Sequence, residues 1–208
     1  MRPTPSKNLA VLLAAALLSV TGSTSPSPAQ AVTYVFDKDQ TEVRFIWTRL
    51  GLSRQSGRIL DAEGTVEFDP ENPEEGSVEV TFKVANIRTG VKALDDQLTK
   101  TKDFFDAQQF PVIAFRSVMA QRTGETTGKV FGELTINGIT KPVALDVTWV
   151  FTGPHPHAQL NSRYKDAVVS AFSATATIQR SDWGLTRAIP LVSDEIQITI
   201  ETEMIRKN

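Results

Sequence analysis

Two histidines, His155 and His157, stand one residue apart in the run Pro154-His155-Pro156-His157. An HxH pair can supply half of a metal site, but third and fourth ligands are then needed. The chain has no other histidine and no cysteine. Thiolate ligands and disulfides are therefore excluded, and the pair reads as a proline-stiffened surface loop. No GxSxG, HExxH or glycine-rich phosphate loop occurs. Carboxylates adjoin at Asp95-Asp96 and Asp194-Glu195. Neighbours in sequence do not face each other on a helix and point to opposite faces of a strand, so neither pair forms an acid/base couple by spacing alone. These observations predict no catalytic residue, no metal ligand and no cofactor: a protein that is not an enzyme.

Binding chemistry is better represented. Arg44, Arg49, Arg54, Lys92, Arg163 and Arg187 fall at expected loops and strand ends. Arginine suits an anionic head group because its planar fork can hold two oxygens at once, although a scattered basic surface accounts for each residue taken singly. The aromatic residues are the more informative class. Phe45, Trp47, Phe82, Phe104, Phe105, Phe110, Phe115, Trp149, Phe172 and Trp183, with Phe151, are numerous enough to wall an apolar cavity or to fill one.

The elements that must position them are nearly all strands. Val78, Val80, Phe82 and Val84 alternate with Glu79, Thr81 and Lys83, and Ile196, Ile198 and Ile200 alternate with polar or acidic partners. Strands are expected at Val32–Phe36, around Val43–Trp47, Arg58–Phe68 with a bend at Gly64, Val78–Val84, Val112–Ala120, Lys129–Ile136, Val143–Phe151, Ala167–Ile178 and Glu195–Ile205. Asp37–Gln40 and Gly51–Gly57 read as connections between them. One stretch departs from this period. Val91, Leu94 and Leu98 recur at helical spacing, Phe104 and Phe105 follow, and Pro111 ends the excursion. The pattern predicts a short helical lid on an all-β domain. A sandwich and a barrel both fit one-faced strands, but the number and length of strands here favour an antiparallel barrel of about eight strands.

The amino terminus has a separate purpose. Arg2 and Lys7 precede the twelve apolar or small residues Leu9–Val20, and Ala29-Gln30-Ala31 offers a small-x-small cleavage site. That layout predicts a secretory signal peptide over 1–31, too short in its apolar part to anchor in a bilayer, and a mature domain over 32–208. Loss of Arg2 and Lys7 takes the formal charge from −2 to −4. A mildly acidic chain argues against nucleic acid or an anionic membrane surface as partner. The expected location is the periplasm or the exterior, without membrane insertion after the signal is removed.

Four blocks then carry a likeness: SGRILDAEGTVEFDPENPEEGSVEV (56–80), KDFFDAQQFPVIAF (102–115), GELTINGITKPVALDV (132–147) and ATIQRSDWGLTRAIPLVSDEIQITIE (176–201). Together and in this order they resemble the YceI-like family of secreted, lipocalin-like proteins. The resemblance implies an eight-stranded antiparallel barrel whose interior holds an isoprenoid, quinone-like or fatty-acyl lipid, with the head near the mouth. It implies an amphiphilic lipid as partner and is compatible with a homodimer; the alternative reading is an enzyme, an isomerase or hydrolase, acting on such a lipid through a buried carboxylate. Gln97 and Asn137 stand where the family often has histidine, and the segment from Leu98 to Asp103 is one residue longer than usual.

Overall fold

The computed structural model describes residues 31–207, so the apolar run Leu9–Val20 and most of the expected signal peptide lie outside the described residues. Ten strands form one antiparallel sheet: β1 (Val32–Arg49), β2 (Ser53–Ile59), β3 (Glu63–Phe68), β4 (Ser77–Lys83), β5 (Ile87–Arg88), β6 (Val112–Arg122), β7 (Thr127–Ile136), β8 (Ile139–Pro154), β9 (Val168–Gln179) and β10 (Glu195–Arg206). The helix α1 (Lys92–Lys100) interrupts them between β5 and β6. The sheet closes because β1 also pairs with β10, from Tyr34 opposite Arg206 to Ile46 opposite Gln197. On its other side β1 pairs first with β3 and then with β2, which together occupy one strand position. Likewise β4 runs on into β5 through a short 3-10 turn. The result is the eight-position barrel that the strand pattern predicts.

Three local expectations are corrected. The chain from Val32 to Arg49 is one strand rather than two strands and a turn. Between Phe36 and Thr41 it bulges against β10, which keeps Phe36 and Val43 on the same inner face despite the odd spacing. The segment Gly51–Gly57 is mostly strand. Leu50 and Gly51 both adopt positive φ (55° and 67°), so the hairpin closes at the Arg49–Ser53 pair. Ser53 to Ser56 are all exposed, which is why no apolar alternation announces β2. Finally, the expected strand over Arg58–Phe68 is broken at Leu60–Ala62, where Asp61 takes φ 59°.

The helix is as short as its apolar spacing suggests. Asp95 accepts from both the N–H and the hydroxyl of Thr89 (2.7 and 2.6 Å), tying the first turn to the strand before it. Asp96 lies between Lys100 and Lys92, at 2.7 and 2.5 Å, and hydrogen bonds from these two ammonium groups hold its carboxyl down at about 2. Leu98 packs, with Phe105, on a cluster of Val84, Ile87, Ile113, Ile136, Trp183 and Leu185. A second cluster of Tyr34, Val66, Phe68 and Met204 lies towards the other end of the barrel.

Candidate functional site

Period two delivers one apolar row per strand to the barrel interior. Val43, Phe45 and Trp47 come from β1, Val78, Val80 and Phe82 from β4, Val143, Leu145, Val147 and Trp149 from β8, and Ile196, Ile198 and Ile200 from β10. These rows do not fill the space they enclose. A cavity of about 560 Å³ runs between the two packed clusters, a size usual for a small-molecule site. Polar groups within the barrel are sparse and already engaged: Thr41 and Thr202 share a hydrogen bond of 2.8 Å, and the Ser117 hydroxyl accepts from the Val78 N–H at 2.8 Å.

Eight of the aromatic residues singled out in the sequence border this cavity: Phe45, Trp47, Phe82, Phe104, Phe105, Phe115, Trp149 and Phe172. Phe45 stacks on Trp47 with ring centres 5.6 Å apart. Phe68, which is not among the aromatics expected to line the cavity, meets Phe172 and Trp149 edge-on at 4.9 and 5.7 Å. Trp149 also has a polar tether, its Nε1–H donating to Thr152 Oγ1 at 2.9 Å. Two expected lining residues stand elsewhere. Trp183, 2% exposed, is built into the core, and its Nε1–H donates to the Leu134 carbonyl at 3.0 Å. Phe110 lies against Gly138, outside the lining. Phe151 is exposed. In exchange, Leu94 and Leu98 of α1 face the cavity, where their helical spacing could have placed them.

The two ends of the cavity differ in charge. At the α1 end, Arg49, Arg180 and Arg187 line it beside Gln55 and Gln97. At the opposite end the charged lining is mixed: Glu67, Arg122, Glu125 and Lys129. Of the basic residues expected at loops and strand ends, Arg49 and Arg187 therefore reach the cavity. Arg44 is bonded to Glu42, Arg54 to Gln197, Lys92 to Asp96 and Arg163 to Asp37 and Asp39. Arg180 is not among the residues expected from sequence, although it continues the inward row Phe172, Ala174, Ile178 of β9 as the first residue of the 3-10 turn that follows the strand. Burial pushes its guanidinium below the ordinary arginine value.

The histidine loop is not the surface loop its prolines suggest. His155 is buried and its ring stacks on Tyr164, with centres 3.8 Å apart and planes within 4°. Its Nδ1 accepts the His157 N–H at 3.1 Å, while its Nε2 is buried without a hydrogen-bond partner, 3.5 Å from Glu203 Oε2. The Tyr164 hydroxyl donates to Asp37 Oδ2 at 2.9 Å, and Arg163 Nη2 donates to Asp37 Oδ1 at 2.7 Å. The loop is thus strapped onto the bulge of β1. Burial, then the bond to Asp37, pushes the Tyr164 phenol up. Among the described residues, no three His, Cys, Asp or Glu side chains come together as metal ligands.

The adjacent carboxylates also have local partners. Asp194 accepts from the Ser181 N–H (2.8 Å) and hydroxyl (2.6 Å). The buried carboxylates Asp37, Asp69 and Asp106 do not line the cavity.

An apolar, one-helix, eight-position barrel with this residue order is matched by the model of the YceI-like domain over residues 34–204. The chain belongs to the YceI-like family. A UPF0312 protein of Pseudomonas savastanoi pv. phaseolicola is 31% identical over 195 residues, 93% of this chain and 96% of that protein. A UPF0312 protein of Pectobacterium carotovorum is 30% identical over 203 residues, 97% and 98% of the two chains. Among solved structures, BcnA of Burkholderia cenocepacia superposes with a TM-score of 0.70 at 26% identity, covering 81% of this chain and 98% of its own. A polyisoprenoid binding domain from Saccharophagus degradans shares the fold at a TM-score of 0.59 and 10% identity, covering 86% and 100%. Within this YceI-like chain Gln97 and Asn137, the two positions that stand out against the expected pattern, have different surroundings. Gln97 borders the cavity, and Asn137, at φ 50°, donates its Nδ2–H to the Phe104 carbonyl at 2.7 Å.

Proposed function

We propose that this protein binds a long-chain amphiphile, with its apolar tail in the barrel, and sequesters or carries it outside the cytoplasm. The carrying observation is the continuous apolar cavity of about 560 Å³, walled by ten aromatic side chains and the aliphatic rows of β8 and β10. A cavity so lined offers a hydrocarbon chain burial at roughly 0.8 kcal/mol per methylene and offers a polar solute almost nothing. Isoprenoid, quinone-like and fatty-acyl tails all meet this description. The fold shared with a polyisoprenoid binding domain is in keeping with it. The basic-then-apolar start of the chain supports the periplasm or exterior as its place. The role is binding rather than catalysis, because the buried carboxylates stand outside the lining and the two histidines belong to the strap on β1.

The test is solvent extraction and mass spectrometry of protein purified from its native source. One long-chain amphiphile is expected at near-stoichiometric yield, reproducibly across preparations. An extract without any such compound, together with no uptake of fluorescent fatty-acid probes by the stripped protein, would defeat the reading.

A further inference from the structure

Inward-facing rows in this barrel are mostly apolar, and two of them lead to arginine at the same rim. On β1 the row Val43, Phe45, Trp47 ends at Arg49; the β9 row Phe172, Ala174, Ile178 is continued by Arg180, the first residue of the 3-10 turn after the strand. Arg49 pairs with Val192 in an isolated bridge, and Arg180 Nη2 donates to the carbonyls of Arg187 (2.9 Å) and Val192 (3.2 Å). One loop therefore gathers Arg49, Arg180 and Arg187 at the α1 end.

Their charges are poorly matched by carboxylates. Arg180 is 7% exposed, and its guanidinium donates to backbone carbonyls alone: those above, Ser193 at 2.9 Å, and Leu185. Among the described residues neither Arg49 nor Arg180 forms an ion pair, while Arg187 pairs with the exposed Asp103 at 2.7 Å. Asp194, whose charge reaches Arg180, spends both oxygens on Ser181. The acids that do line the cavity, Glu67 and Glu125, belong to the opposite end. A buried cation held by carbonyls alone favours an anion brought to it, because opposite charge close by in a poorly solvated site is attracted more strongly than in water.

We propose that the amphiphile carries an anionic head, a carboxylate or phosphate, and lies with that head at the Arg49–Arg180–Arg187 rim and its tail towards Phe68. This rests on reading the cavity as a lipid site and adds the charge and the direction of the ligand. Arg180 sets the positive potential from within the wall. Arg49, exposed and without an ion pair, can move onto the head, and Arg187, also exposed, can exchange the exposed Asp103 carboxylate for it; both have the paired donors that suit a carboxylate or phosphate.

The test compares two probes with one tail: the fluorescent polyene parinaric acid and its methyl ester. In the parent protein the acid is expected to bind at least about tenfold tighter, the size of one good charge-assisted contact. In the Arg49→Gln/Arg187→Gln double variant the acid-to-ester ratio is expected to fall towards one. Arg122→Gln, at the opposite end, should keep the parent ratio. Dodecyl phosphate should displace the acid and inorganic phosphate should not.

Equal binding of acid and ester by the parent would overturn the proposal and leave the lipid-binding reading standing. Collapse of the ratio in Arg122→Gln alone would put the head at the wrong end and overturn the stated direction. Displacement by inorganic phosphate would make the rim an anion site independent of the tail, again against the proposal. Binding of neither probe would defeat the lipid reading itself and this inference with it.

Discussion

Phe104 and Phe105 are adjacent, yet they have different surroundings. Phe105 packs against the cluster of Val84, Ile87 and Ile113, as Phe82 does, whereas Phe104 borders the cavity without joining that cluster. The sequence presented them as one lid; the structure separates them. Phe104→Ala should cost the empty protein about 1 kcal/mol, the size of an ordinary substitution, and show itself mainly as faster ligand release. Phe105→Ala and Phe82→Ala should each cost about 3 kcal/mol, as truncations in a packed core do. Chemical unfolding of the delipidated proteins beside probe off-rates checks this; equal destabilisation by Phe104→Ala and Phe105→Ala with unaltered release would refute it. The same contrast explains what could be read beforehand. Phe45, Trp47, Phe82 and Trp149 lie on strands, where period two fixes the face they point to. Trp183 is of the same residue class but occupies a 3-10 turn, and Phe110 follows a turn, where no period sets direction. The burial of His155 is illegible in sequence for another reason: its stacking partner Tyr164 is bonded to Asp37, at the far end of the chain, and local sequence carries no trace of so distant a contact.

At the scale of the strands, two glycines make room for rings. Gly57 is paired with Phe45 across β1 and β2, and a Cβ there would overlap the Phe45 ring. Gly132 on β7 lies beneath Phe115, and its Cβ would also come within 2.5 Å of the Arg116 carbonyl oxygen. The obstacles differ in kind, so the outcomes should differ. In Gly132→Ala the backbone of β6 is in the way, and a stability loss of about 2–3 kcal/mol is expected, the usual cost of overpacking. In Gly57→Ala a side chain can yield by turning into the cavity, so the expected result is a smaller stability loss with clearly weaker probe binding. Thermal unfolding and probe titration of the two variants separate these; stronger weakening of binding by Gly132→Ala at equal stability would contradict the assignment. Neither glycine could be given this task from sequence, where Gly57 read as the end of a loop. Strands with one apolar face were legible because their pattern repeats. β2 was not, because its outer, hydrophilic residues repeat nothing.

For the whole molecule, the two tyrosines report on integrity at high pH. They are the only tyrosines in the chain; Tyr34 belongs to the cluster with Phe68 and Met204, and Tyr164 to the strap on β1. Burial pushes both phenols above their ordinary value of 10.0. A folded state that holds its protons more tightly than the unfolded chain is stabilised in full below that ordinary value, and the contribution is lost as pH rises through the raised one. Tyrosinate absorbance should therefore appear together with loss of the folded tryptophan signal, not before it. Tyr164→Phe keeps the ring but removes the bond to Asp37, and should lower stability by about 1 kcal/mol near neutral pH while shrinking the alkaline component. A smooth phenolate titration near pH 10 with folded fluorescence intact would contradict this account.

The seam between β1 and β10 sets an order in time. β1 is the first strand to be synthesised and β10 the last, and the ring of strands closes only when they meet. Until residues 195–206 are available the barrel is an open, curved sheet, and its apolar rows have no enclosed interior to line. Closure across almost the full chain is also the slow kind of contact, since the long loop must be brought together before the pairing rewards it. A hydrocarbon chain lying on the open sheet at that moment would be enclosed as the seam zips, without passing Phe104 or the arginine rim. A ligand arriving later meets a finished wall and has only the ends. An occupant enclosed at closure and one that arrives later would thus enter by different routes.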